Sequence, residues 1–207
     1  LAGIVFASMF AQPMRAFSQT TDWIVYNTSN SGLPQNLITA LTCDNSGNVW
    51  IGTGDPFGSG RGVAKFDGNN WTVFNTSNSP LPYNAILALT PDDKGGVWIG
   101  TAGGLTSVGR GLAHFDGQNW MVYNTSNSGL PHNNVMALAL DAQGNLWIGT
   151  DGGLTLFDGV NWQVYNRVNS GLPHNSVYAI AIDDQQNKWV GTYGGGLAMF
   201  DGINWEV

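Results

Sequence analysis

The sequence predicts an all-β chain built from one unit repeated four times, and three observations carry that prediction. A Trp-Ile-Gly-Thr tetrapeptide begins at Trp50, Trp98 and Trp147, and Trp-Val-Gly-Thr begins at Trp189. A second series, Trp23, Trp71, Trp120, Trp162 and Trp205, interleaves with the first, and the two series hold all 9 Trp. Phe-Asp-Gly recurs at 66–68, 115–117, 157–159 and 200–202, and Leu-Pro-x-Asn at 33–36, 81–84, 130–133 and 172–175. Self-similarity at a nearly fixed period marks an array of supersecondary units. No helical periodicity follows residue 20.

Each unit reads as four strands in order. The first follows Leu-Pro-x-Asn, as in Ile38-Thr39-Ala40-Leu41-Thr42 and Val135-Met136-Ala137-Leu138-Ala139. Both of its faces are apolar or small, as for a strand sandwiched between neighbours. Ala40, Ala88, Ala137 and Ala179 recur where the next unit approaches closely. An Asp-x-x-Gly turn follows, its Asp accepting from turn backbone and its Gly taking the left-handed conformation. Copy four has Gln186 in the Gly position, so its turn is expected to differ slightly. The second strand is the Trp-Ile-Gly-Thr strand, and the third is Gly-Leu-Ala-x-Phe. An Asp-Gly hairpin signal leads to the fourth, as in Trp120-Met121-Val122-Tyr123. Between the apolar residues of that last strand lie Thr72, Met121, Gln163 and Glu206, a variability expected of an outer strand with one wet side.

Four antiparallel strands in about 42–49 residues make a propeller blade. The expected fold is therefore a β-propeller of four four-stranded blades, at about 33–75, 81–124, 130–166 and 172–207, within a repeat domain at 22–207. The fourth strand type occurs five times, the extra copy being Trp23-Ile24-Val25-Tyr26. That count points to a partial propeller with one additional N-terminal outer strand. Further blades outside the sequence, or self-association into a larger ring, would cover the inner apolar faces.

Composition narrows the class. Hydrophobic residues are 43% and charged ones 10% of 207, a globular balance. Net charge is −7 and the 7 basic residues are scattered singly, which argues against nucleic acid and anionic membranes as partners. The single cysteine, Cys43, excludes an internal disulfide framework and a cysteine zinc site. It aligns with Pro91, Leu140 and Ile182 and reads as a small buried hydrophobe. The opening LAGIVFASMF run with Ala16 and Ser18 after it reads as a truncated signal peptide over 1–18, too short to span a membrane. Location is then periplasmic or secreted.

Laid end to end, LPHNNVMALALDAQGNLWIGTDGGLTLFDG (130–159) and LPHNSVYAIAIDDQQNKWVGTYGGGLAMFDG (172–202) resemble the two-component regulator propeller repeat. The resemblance covers about 185 residues. It implies a bacterial periplasmic sensor module of the kind that precedes hybrid histidine kinases, many of which respond to glycan fragments. It also covers secreted proteins without a kinase. This chain has four units where such sensors carry many more, and no kinase region, so fold is better supported than signalling.

Alternating connectivity puts the loops after the second and fourth strands on one face of the blades. That face carries the long NTSNSGLPxN segment and the Gly-rich segment after Gly-Thr. Variable loops on a rigid scaffold are where recognition is built. The residue after each Leu-Pro is Gln35, Tyr83, His132 and His174, while Arg61, Arg110, Asp151 and Tyr193 belong to the other loop. These eight form the candidate ligand-binding set, suited to a small glycan through ring stacking and amide or carboxylate contacts, or to a protein ligand. Asn36, Asn84, Asn133 and Asn175 recur in every copy and are read as turn caps. His132 and His174 with Asp151 make a thin acid–base or metal constellation. No phosphate loop or Gly-x-Ser-x-Gly element is present, and Glu206 is the only Glu, so catalytic residues, a resident metal and a cofactor are not expected. The alternatives are an enzyme resembling the streptogramin lyases, which share similar strands, and a protein-interaction scaffold.

Overall fold

The computed structural model describes residues 24–55, 57–103 and 110–207, and the expected signal segment at 1–18 lies outside them. Four antiparallel sheets of four strands follow one another along the chain. Blade 1 holds β1 (Ile38–Cys43), β2 (Val49–Thr53), β3 (Gly62–Phe66) and β4 (Trp71–Phe74). Blade 2 holds β5 (Ile86–Pro91), β6 (Val97–Thr101), β7 (Leu112–Phe115) and β8 (Trp120–Tyr123). Blade 3 holds β9 (Val135–Leu140), β10 (Leu146–Thr150), β11 (Gly153–Phe157) and β12 (Trp162–Tyr165). Blade 4 holds β13 (Val177–Ile182), β14 (Lys188–Thr192), β15 (Gly196–Phe200) and β16 (Trp205–Glu206). The inner strands adjoin in the order β1, β5, β9, β13.

The recurrent motif is a hydrogen-bonding unit. In blade 1 the Asp44 carboxylate accepts from Ser46 N, Asn48 N, Asn48 Nδ2 and Trp50 Nε1. This one acceptor shapes the β1–β2 turn and fixes the indole of the next strand. Asp141 and Asp183 repeat the bond to Trp147 and Trp189. The Thr of Trp-Ile-Gly-Thr closes the next loop, since Thr53, Thr101 and Thr150 donate through Oγ1 to the carbonyls of Gly62, Gly111 and Gly153.

Blades are joined by burying the Trp of one in the sheet of the next. Trp50 packs with Ile86, Val97, Ile99 and Phe115 of blade 2. Trp98 and Leu112 pack with Val135, Leu146 and Ile148 of blade 3. Trp147 and Leu154 pack with Leu172, Val177 and Val190 of blade 4. Among the described residues no further sheet covers Trp189, and it is 39% exposed where its counterparts are 1%, 8% and 3%.

Four expectations need correction. First, Cys43 is exposed, because it lies on the face of β1 that no other sheet among the described residues covers. Second, the sandwiched inner strand holds for β5 and β9, whereas β1 and β13 each leave residues open, Leu41 and Tyr178 among them. Third, Gln186 does not alter its turn. It adopts φ 64°, close to the 80° of Gly47, and Gln186 N donates to Asp183 O as Gly47 N does to Asp44 O, both at 2.9 Å. A left-handed Gln costs about 1–2 kcal/mol. Its Oε1 in return accepts from Ala142 N of blade 3 at 3.0 Å. Fourth, of the extra outer strand at 23–26, Trp23 lies outside the described residues, and Ile24, Val25 and Tyr26 pair with no strand. Tyr26 nevertheless stands against Phe66 and Trp71, as Phe74 does against Phe115 and Trp120.

The turn carboxylates give the fold an acid limit. Burial raises Asp44 and Asp141, but hydrogen bonds from Trp, Asn and turn backbone outweigh it and both sit below the ordinary range. At Asp183 the Trp189 hydrogen bond leads, and at Asp67, Asp116, Asp158 and Asp201 backbone hydrogen bonds lead, all lowering the pKa. A depressed folded pKa adds stability that is fully present above the unfolded value, about 3.9, and is lost as pH falls through the folded value. Tm is therefore expected to be flat from pH 7 to about 5 on this account and to fall steeply below about 4. A Tm unchanged between pH 5 and 3 would contradict it.

Candidate functional site

The long loop after each outer strand is rigid by its own chemistry. Asn75 Oδ1 accepts from Ser77 N, Asn78 Oδ1 accepts from Asn75 N, and Asn78 Nδ2 donates to Val73 O. The same three bonds recur around Asn27, Asn124 and Asn166. Asn36, Asn84, Asn133 and Asn175 each accept, through Oδ1, the backbone N–H of the residue eight positions earlier. The capping reading of these four Asn therefore holds. Most polar groups of the segment are consumed internally, which leaves the residue after Leu-Pro as its variable element.

Across blades 2, 3 and 4 that element meets the Gly-Thr loops. Asn134 is the hub. Its backbone N donates to His132 Nδ1 at 3.1 Å, its Nδ2 donates to Asp151 Oδ2 at 2.9 Å, and its Oδ1 accepts from Gly103 N at 3.0 Å. In blade 4, Ser176 N donates to His174 Nδ1 at 3.1 Å. Both imidazoles thus spend Nδ1 as an acceptor on the local turn, and a neutral ring then carries its proton on Nε2. His132 Nδ1 is 3.9 Å from Asp151 Oδ2, an electrostatic contact and not a hydrogen bond. Among the described residues no three His, Cys, Asp or Glu side chains come close enough to hold a metal ion.

Beside this hub stand two open tyrosines. Tyr178 is 50% and Tyr193 68% exposed, with ring centroids 5.6 Å apart at 32°. His174 meets Tyr193 edge-on at 6.3 Å. Burial raises the Tyr178 hydroxyl above its usual value, and Asp151 and Tyr193 add to the rise, so it stays a protonated donor at neutral pH. The backbone explains its position. Val177 pairs with Thr192 and Ala179 with Gly191, which leaves Tyr178 as the extra residue of a β-bulge. Bulges re-aim a side chain and break pairing locally. Thr39, Leu87 and Met136 occupy the same bulge in the other blades.

Of the eight expected residues, His132, Asp151, His174 and Tyr193 come together here. Among the described residues Gln35, Arg61 and Arg110 make no contact with them, whereas Tyr83 borders the same cluster, since its hydroxyl and Gly103 O both flank Gly58. Gln35 is half-buried with Oε1 unpartnered, and the Tyr83 hydroxyl lies over Gly58 of its own blade junction. Arg61 and Arg110 are exposed at the entries to β3 and β7. Asn134 and Tyr178 were missed. Their signal was variation within the repeat, since their counterparts are Leu37, Ala85 and Ser176 for the first and Thr39, Leu87 and Met136 for the second.

Solved structures place the fold among known propellers. The extracellular domain of the hybrid two component system BT3049 from B. thetaiotaomicron is 26% identical, with a TM-score of 0.69 over 86% of this chain and 23% of that one. The corresponding domain of BT4673 from the same organism is 23% identical, with a TM-score of 0.61 over 84% of this chain and 22% of that one. A catalytically inactive virginiamycin B lyase from Staphylococcus aureus shares the fold at 14% identity and a TM-score of 0.56, over 79% of this chain and 55% of that one. The chain thus spans about a quarter of the length of the two-component domains it matches. No curated protein sequence matches it. No helix among the described residues is long and apolar enough to cross a membrane. The sequence profile of the two component regulator propeller matches residues 32–55, 80–103, 129–152 and 171–194, one stretch per blade from the Leu-Pro loop through the Trp-Ile-Gly-Thr strand. With every blade matched and the sheets as that repeat requires, the chain belongs to the two-component regulator propeller family.

Proposed function

We propose that this chain is an extracytoplasmic ligand-recognising propeller of the sensor type, and that it binds a saccharide at the blade 3–4 loop face without turning it over. One observation carries the reading: Tyr178 and Tyr193 stand open beside Asp151, Asn134 and the two His on loops whose backbones are already fixed by hydrogen bonds. Aromatic faces take the apolar face of a pyranose, and carboxylate and amide groups read its hydroxyls. Pre-ordered loops reduce the entropy cost of binding. The location rests on the likeness to extracellular domains of two component systems.

Titration with neutral oligosaccharides, followed by calorimetry and by product analysis, tests it. Binding is expected, with Tyr193→Ala weakening it about tenfold or more, since a base or ring stacked on an aromatic is worth about 1–3 kcal/mol. Asp151→Asn is expected to weaken it less and leave Tm within about 2 °C. Release of a cleaved or eliminated product would replace this reading with an enzymatic one, and an interaction seen only with proteins would replace it with a scaffold.

A further inference from the structure

Blade 2 departs from its siblings on the opposite face. Gly96 stands where Asn48, Asn145 and Asn187 donate to their turn Asp. His114 stands where the other blades have Lys65, Leu156 and Met199. Asp92 accepts from His114 Nε2 at 2.7 Å, in the role that Trp Nε1 fills for Asp44, Asp141 and Asp183. Trp98 instead lies flat on His114, with centroids 4.0 Å apart at 18°. An Asn at 96 has no room here, since a Cβ would lie 2.5 Å from Asp92 Oδ2 and from Phe115 O.

The rewiring accompanies a groove of about 470 Å³ between blades 2 and 3, lined by Asp93, Lys94, His114, Leu140, Gln143 and Asp158 among others. At the flanking junctions the equivalent turns are tied together, by Asn45 Nδ2 to Asp93 O and by Ala142 N to Gln186 Oε1. Among the described residues no hydrogen bond joins the 93–95 turn to the 142–144 turn. The flanking junctions also hold a cation of their own. Lys65 Nζ lies 5.5 Å over the Trp50 ring, and Lys188 Nζ lies 5.0 Å over that of Trp147. At the middle junction His114 and Leu146 occupy those two sequence positions.

His114 is 8% exposed, and its Nδ1 has no partner. Because Asp92 only accepts, a neutral ring keeps its proton on Nε2 and leaves Nδ1 a buried acceptor without a partner just behind the groove wall. Asp93 and Asp158 add negative charge to the lining, opposed by Lys94. Surplus carboxylate charge and an apolar wall describe one ligand chemistry.

We propose that the groove between blades 2 and 3 binds a primary ammonium group carried on a short apolar chain. The ammonium is held by the Asp93 and Asp158 carboxylates beside the His114 ring, and the chain lies along Leu140. The site is on the face away from the Tyr178–Tyr193 cluster, so it stands or falls independently of the saccharide reading.

The test uses protein with 15N-labelled histidine, titrated with n-pentylamine, with pentanol as the neutral isostere and Nα-acetyl-lysine amide as the peptide-like source. Both amines are expected to shift the His114 ring nitrogens and leave those of His132 and His174 in place, while pentanol does neither. A response to acetyl-lysine amide alone would assign the ammonium to a protein side chain and overturn a free small amine as the ligand. Asp93→Asn is expected to weaken n-pentylamine at least fivefold, Gln143→Trp to abolish the response by filling the groove, and Lys94→Met to strengthen it. Absence of a His114 response to either amine in both the wild type and Lys94→Met would overturn the proposal, as would equal shifts with pentanol.

Discussion

Trp147→Ala is expected to lower the unfolding free energy by about 3–5 kcal/mol, and Trp189→Ala by less than half of that, although the two residues head the same motif. Trp147 is 3% exposed, donates to Asp141 at 3.0 Å and fills the core shared with Val177, Val190 and Phe200 of blade 4. Truncation leaves a cavity between two sheets and removes a donor from the Asp141 carboxylate, and both losses are costly. Trp189 makes the equivalent bond to Asp183 at 2.9 Å, but it is 39% exposed and packs on one side only. Urea unfolding of the two variants separates the effects. Equal losses would mean that the motif is stabilised within its own blade, contrary to the hand-off of each Trp to the next sheet.

The Gly of the same motif makes the second large prediction. A Cβ on Gly149 would lie 2.7 Å from Val177 Cγ1 and 2.9 Å from Val177 O, both in blade 4. Gly100 meets Val135 of blade 3 in the same way, at 2.8 and 2.9 Å. Gly191, in the last blade, meets only Ala179 of its own sheet, with Cβ at 3.3 Å. Gly149→Ala is therefore expected to destabilise by about 2–3 kcal/mol through overpacking against backbone that cannot move aside. Gly191→Ala is expected to fall within about 0.5 kcal/mol of wild type, because the lost flexibility of the unfolded chain offsets a slight crowding. Melting curves of the two single variants suffice, and a tolerated Gly149→Ala would refute the close approach.

The blades were legible because their signals are local. Asp44, Gly47, Asn48 and Trp50 form one hydrogen-bonded unit within seven residues, so their spacing is the structure. The site was legible only in part. His132, Asp151, His174 and Tyr193 could be placed because they vary at fixed loop positions. Tyr178 could not, because period-two reading assigns β13 a regular alternation and gives no sign of the bulge that turns its second residue out. Asn134 was hidden beside a capping Asn, and its role comes from partners at Gly103 and Asp151 far along the chain. Exposure at Cys43 was missed for a related reason, which Trp189 also illustrates: aligned positions share a fold but not a neighbour.

The hand-off of Trp from sheet to sheet also makes the blade a unit of exchange. The stability of a blade is written partly in the sequence of its successor, and three junctions use the same apolar positions to read it. A blade copied or deleted between one Leu-Pro loop and the next would meet faces already shaped for it, so the array can change length without inventing an interface. The junction of blades 2 and 3 resists such traffic in one respect. Its Asp92–His114 pair and Gly96 are private to blade 2, and they would travel as a set with whatever function that groove serves.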